Sequence, residues 1–193
     1  MIGRFGDLPP AERRRATETL ASARATDIGR WSQSHNLKSN WAERAQVAAR
    51  LVEPRVRLLD IGCGSMDVER FLDPSVTYLP ADVVRRDDRT VVCDLNAGEL
   101  PDVRADFISL LGVIEYVHDV PGLFAKLRRT GARVIGSYNP VDLGKPDRDR
   151  RAQGWFNDLT SAELCAVAAS AGFQLVGVIT IDPQRVYEWG PAE

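Results

Sequence analysis

The most constraining feature of the chain is a run of short apolar stretches that alternate with helical segments. Apolar runs at 56–59, 76–79, 90–93 and 107–111 each lead into an Asp or Gly, at Asp60, Asp82, Asp94 and Gly112. A fifth run covers 133–138. Near-continuous apolar runs are strands buried on both faces, and helices between them supply the covering layers. The pattern excludes a helical bundle and an antiparallel sandwich. At 193 residues the chain holds about one domain with room for an extension. That length buries a core without disulfide or metal staples.

The segments around these runs complete the pattern. Pro9-Pro10 introduces a surface helix over 12–25, and 30–38 is polar and irregular. A helix over 40–52 lines up Trp41, Ala45, Ala48, Ala49 and Val52 on one face, and Pro54 stops it. A brief helix is expected over 66–71. Asp119 caps a helix that has Pro121 in its first turn and ends at Gly131. Residues 139–158 form a long loop, a candidate lid. Thr160 and Glu163 form a capping box for a helix that Gly172 closes. Strands over 173–181 and 185–189 are joined so tightly that they form a hairpin. The expected fold is α/β: a doubly wound, mostly parallel seven-stranded sheet with an antiparallel C-terminal β-hairpin and N-terminal cap helices. Residues 1–52 are the helical extension or cap, and 53–193 the α/β domain, in one compact unit. The stretch 164–181 carries no charge over 18 residues, the length of a membrane candidate. Ala171-Gly172 divides it into a buried helix and a β-branched strand, so no span is expected.

Composition narrows the function classes. Hydrophobic residues are 44% and charged residues 27%, ordinary globular usage. A net charge of −2 speaks against a dedicated nucleic-acid binder. The bias of 22 Arg to 3 Lys, with abundant Ala, points to a GC-rich genome. Cys63, Cys93 and Cys165 are odd in number and form no CxxC pair, so they read as reduced thiols of a cytoplasmic protein. The first ten residues hold Arg4, Asp7 and two prolines where a leader would be apolar. His35 and His118 are far apart and lack ligand spacing, so no metal is expected.

In open α/β sheets ligands bind beyond the carboxyl ends of the strands. Asp60-x-Gly62-x-Gly64 lets the backbone turn tightly and offers free N–H groups behind it. Asp82 follows Gly64 by 18 residues, near the spacing that places a carboxylate on a ribose hydroxyl pair. Asp94 is placed to accept from an adenine amino group.

These segments, VRLLDIGCGS (56–65), YLPAD (78–82), CDLN (93–96) and ADFISLLGVIEYVHD (105–119), resemble class I S-adenosylmethionine-dependent methyltransferases. The resemblance covers about residues 40–190 and implies a Rossmann-like methyltransferase domain with S-adenosylmethionine as cofactor. It implies that the loop of Asp60, Gly62, Cys63 and Gly64 holds the methionine part. Asp82 and Val83 would take the ribose, and Asp94 and Leu95 the adenine. Leu111 and Gly112 would lie at the methionine amine. Trp41 and Arg44 of NWAERA would close the near side. Two positions depart from the family pattern. Met66 replaces the usual third glycine, and Glu115-Tyr116 stands where the family often has Glu-His.

Methyl transfer is expected by direct displacement, in which positioning supplies several kcal/mol. A general base adds about 10²–10⁴-fold where the acceptor must lose a proton. The candidates are His118, Glu115 and Tyr116. Tyr138 and Asn139, at the end of the fifth strand, are expected to see the acceptor. That acceptor is expected to be a small molecule or a saccharide, since the YLPAD…CDLN…GVIEYVHDVP wording resembles bacterial enzymes of polysaccharide pathways. Arg148 and Arg151 could grip an acidic group on it. No adenine-N6 DNA methylation motif follows the fourth strand. A nicotinamide enzyme would need Gly at 67, where Asp67 stands. The alternative is a non-catalytic cofactor-binding or partner-binding protein on the same fold, marked by cofactor affinity without turnover.

Overall fold

Strand β1 (Arg57–Ile61) lies at the centre of the architecture, with parallel neighbours on both sides. The computed structural model describes residues 5–37, 41–143, 149–181 and 183–192. β1 pairs with β2 (Thr77–Asp82), which pairs with the two-residue β3 (Val91–Val92). On its other side β1 pairs with β4 (Phe107–Leu111), which pairs with β5 (Arg133–Tyr138). The hairpin of β6 (Phe173–Ile181) and β7 (Gln184–Pro191) completes the order β3-β2-β1-β4-β5-β7-β6. β7 runs antiparallel to both its neighbours. The chain winds outward in one direction from β1 and in the other from β4. The switch point, where α/β sheets bind ligands, therefore lies between these two strands.

Alternating side chains divide the core into two layers. Leu59, Ile61, Ile108 and Leu110 face α4 (Val120–Thr130) and α6 (Ser161–Ser170). Leu58, Phe107, Leu111, Ile135 and Val186 face α3 (Ala42–Ala49). Phe124 is fully buried in the first layer, edge-on to Phe173 and to Trp189, whose centroid is 5.2 Å away. Asp119 caps α4 by accepting from the Gly122 N–H, and the Thr160–Glu163 capping box of α6 is present.

Several boundaries differ from the sequence reading. β1 and β2 run past the apolar residues to Ile61 and Asp82, because Asp60 is itself a ladder residue opposite Pro80 and Ser109. The expected helix over 66–71 is a 3₁₀ turn at Glu69–Phe71. The polar stretch before α3 contains α2 (Ile28–Trp31), which Asp27 caps, and a 3₁₀ turn at Ser34–Asn36. The long loop carries α5 (Arg150–Gln153), fastened to α1 (Pro10–Ala23) by the Thr17 hydroxyl on the Arg151 carbonyl at 2.7 Å. The uncharged stretch resolves into α6 and β6, and no helix among the described residues is long and apolar enough to cross a membrane.

Phe124→Ala is expected to cost about 3–5 kcal/mol, the usual range for emptying an aromatic site. Val176→Ala, on the exposed edge strand, should stay within about 0.5 kcal/mol. Urea unfolding of the two variants measures both.

Candidate functional site

A cleft opens at the carboxyl ends of β1, β2 and β4, where α/β sheets bind ligands. Gly62, Gly64, Asp82 and Val83 line its floor. Asp94, Leu95 and Asn96 line one end, and Leu111, Gly112 and Tyr116 line another wall. Thr26, Trp31, Leu37 and Trp41 form a roof from the N-terminal segments. An adjoining cleft is lined by Asp60, Cys63 and Arg44 and shares Trp41, Gly62, Gly64 and Leu111 with the first. The residues that sequence placed at one site therefore converge.

Asp82 is 5% exposed and organises the floor. Its Oδ2 accepts from the Gly64 N–H at 2.9 Å, and its Oδ1 accepts from the Val84 N–H and Arg86 Nη2, both at 3.0 Å. Arg86 also donates to the Trp31 carbonyl at 2.9 Å, so floor and roof are joined by one guanidinium. Asp60 is buried beneath the glycine loop. It accepts from the Tyr78 hydroxyl at 2.7 Å and the Ser109 hydroxyl at 2.6 Å, tying β1 to β2 and β4. Burial pushes its carboxyl above the usual carboxylate range.

Two glycines hold conformations that side chains resist. Gly62 has φ +74°, and a Cβ there would overlap the Val113 side chain. Gly112 has φ +70°, and a Cβ would lie 2.5 Å from Arg44 Nη1. The Arg44 guanidinium thus sits against Gly112; it is 8% exposed, and its Nε has no partner among the described residues. Met66 takes the left-handed φ of +58° that a third glycine would hold. Its Sδ meets Arg89, and it lines neither cleft, so the missing glycine does not narrow the site.

Asp94 faces the far end of the cleft. It accepts from the Asn96 N–H at 2.9 Å and the Thr26 hydroxyl at 2.7 Å. His118 lies outside both clefts. Its Nε2 is 3.1 Å from the Ala25 carbonyl, its ring stacks on Phe156 at 4.1 Å, and its N–H donates to Asn96. It fastens the roof rather than facing it. Tyr116 lines the cleft with its phenol accepting from Trp155 Nε1 at 3.2 Å, and burial pushes that phenol up. Glu115 is 1% exposed; its Oε1 accepts from the Asn139 N–H at 3.0 Å and Nδ2 at 2.8 Å.

Two expectations change. Tyr138 is fully buried and donates to Asn157 Oδ1 at 2.6 Å, so it belongs to the core. Arg151 spends its guanidinium on Asp158 at 2.6 Å and on the Trp155 carbonyl at 2.7 Å, which leaves it bracing its own segment. Arg148 lies outside the described residues. Sequence reasoning missed Thr26, Trp31 and Arg86. Arg86 stands four residues after Asp82, and that spacing was the available signal.

Two variants test this geometry. Gly112→Ala should lose at least about 1 kcal/mol through left-handed strain alone, whereas Gly6→Ala, with open space around it, should change little; urea unfolding compares them. For Asp60 the folded state holds the proton more tightly, so stability falls as pH rises from about 4 into the raised range. Asp60→Asn removes that titration. It is expected to be more stable than the parent at neutral pH, with the gap closing on acidification, as read from thermal unfolding against pH.

No protein of curated function matches the chain by sequence. Solved structures do match in fold. A putative O-methyltransferase from Nostoc punctiforme shares 19% identity over 97% of this chain and 70% of its own, with a TM-score of 0.70. The 1,6-didemethyltoxoflavin-N1-methyltransferase of Burkholderia thailandensis, solved with its acceptor and S-adenosylhomocysteine, shares 18% identity over 96% and 92%, with a TM-score of 0.61. CalO1, a methyltransferase in calicheamicin biosynthesis solved with S-adenosylhomocysteine, shares 20% identity over 86% of this chain, with a TM-score of 0.66. The present chain spans 59% of the length of CalO1. The profile of the methyltransferase domain family matches residues 33–178, and the chain belongs to that family.

Proposed function

We propose that the chain is an S-adenosylmethionine-dependent methyltransferase acting on a small-molecule acceptor by direct displacement. The observation that carries this reading is the convergence of Asp82, Asp94, Gly62 and Gly112 on one cleft, in a chain of the methyltransferase domain family. In this reading residues 53–193 form the methyltransferase domain and 1–52 its cap. The three cysteines are free thiols, which fits a reducing, cytoplasmic setting.

The residues fit the cofactor. A carboxylate has about four lone-pair sites, and Asp82 uses three on protein donors, which leaves capacity for a ribose hydroxyl. Asp94 and Leu95 border the place for the adenine, under Thr26 and Trp31. The glycine turn and Gly112 leave the backbone open to the methionine part. Arg44, buried against Gly112, offers a guanidinium to its carboxylate. When bound, S-adenosylmethionine supplies an electrophilic methyl group. The chain's own part is to hold that group and the acceptor in line and to exclude water, and such positioning is worth several kcal/mol. In this reading the methionine, ribose and adenine lie in the order glycine loop, Asp82, Asp94.

The test is a thermal-shift and calorimetric titration with S-adenosylmethionine, S-adenosylhomocysteine and NAD. A ligand at 100 times its Kd adds about 2.7 kcal/mol, a shift of about 5–10 °C for a chain of this size. The two sulfur nucleotides should give that shift and NAD none. Asp82→Ala should weaken S-adenosylhomocysteine at least tenfold. Absence of any shift at millimolar nucleotide would overturn the reading.

A further inference from the structure

A third cleft meets the first at Trp41, Gly112 and Tyr116. Its remaining walls include Trp155, Arg44 and Glu115. Three aromatic side chains therefore border it, and Arg30, Arg44 and Glu115 are its charged groups. Glu115 is the unusual one. It is 99% buried in effect, with a relative exposure of 1%, and its Oε2 has no hydrogen-bond partner among the described residues. A buried carboxylate oxygen left unpaired costs about 1–3 kcal/mol or more. Its sister oxygen is held by both nitrogens of Asn139, so the carboxylate cannot swing to relieve the deficit. Arg44, a buried cation on the same cleft, also has an unpartnered Nε.

We propose that this cleft is the acceptor site, that its substrate is a flat ring bearing an O–H or N–H, and that Glu115 Oε2 accepts that hydrogen and takes the proton. The aromatic border favours a ring, because stacked or edge-on aromatic pairs add about 0.5–1.5 kcal/mol beyond burial. The lone carboxylate oxygen calls for a donor, since a site built to bond an O–H rejects the analogue that lacks it. The inference rests on the methyltransferase reading for the chemistry that follows. The acceptor atom's lone pair forms the bond to the methyl carbon. The carbon–sulfur bond breaks with its electron pair left on sulfur, and the acceptor's proton passes to Glu115. Tyr116 shares both clefts and forms part of the wall between the two bound molecules.

The probes are naphthol and its methyl ether, binding being read by quenching of tryptophan fluorescence with and without S-adenosylhomocysteine. The native protein should bind naphthol at least tenfold more tightly than the ether. Glu115→Gln keeps an oxygen for Asn139 and puts an amide N–H where Oε2 stood, so its preference should reverse toward the ether. Methyl transfer to naphthol should fall about 10²–10⁴-fold in that variant at saturating S-adenosylmethionine, the usual worth of a general base. Equal binding of naphthol and ether by the native protein overturns the proposal, and that comparison needs no variant to fold. A preference unchanged in Glu115→Gln, or selective binding of a methyl glycoside in place of either ring, overturns it too. Failure of S-adenosylhomocysteine to bind, with the naphthol preference intact, would count against the methyltransferase reading and leave the ring site standing.

Discussion

The Asp82 carboxylate is the point on which the rest of the site depends. It lies at the end of β2, accepts from the Gly64 N–H, and so fixes the glycine turn that follows β1. Through Arg86 it also reaches the Trp31 carbonyl in the roof. Three separate stretches of chain are thus referenced to one buried group. Hydrogen bonds to a charged partner are stronger than neutral ones, about 1.5–3 kcal/mol each. The cleft is consequently a product of the sheet and one anion more than of any single loop.

A second theme is how the chain employs its arginines. Arg86, Arg128, Arg133 and Arg150 donate to backbone carbonyls or carboxylates of other segments. Arg30 stacks over Phe5 at 4.0 Å and over Trp31 at 4.5 Å, pinning the N-terminal segments together. A planar fork of donors suits these multi-point contacts in a way that a lysine ammonium does not. Within the charge run near 150, Arg150 and Arg151 are structural braces, because Asp158 and nearby carbonyls use their donors first.

Much of the fold was legible because period and punctuation agree with tertiary context. β4 and β5 fall where the apolar runs place them, and the Thr160–Glu163 box and Gly131 mark helix ends correctly. The floor of the cleft was legible for the same reason: strand ends locate the site, and residues there stand out against apolar strands. The roof was not. Trp31 reaches the cleft from α2, a four-residue helix too short to leave a periodic trace, and Thr26 from the chain just before it. Tyr138 misled because its position at a strand end says nothing of which way its ring turns, and Asn157 turns it inward. His118 misled because a lone histidine near a site draws attention, whereas here a carbonyl and a phenyl ring occupy it.

The placement of β7 carries a consequence for how the molecule is made. It is the last strand in the chain, yet it lies inside the sheet, with Trp189 opposite Val134 on β5 and Leu175 on β6. Until residues 184–191 have emerged from the ribosome, β5 presents an open edge, and Phe124 lacks the indole it packs against. Pairings of such long sequence separation form slowly, and incomplete sheets expose edges that associate with other chains. A nascent chain of this protein therefore carries an uncovered β5 edge until β7 has been made.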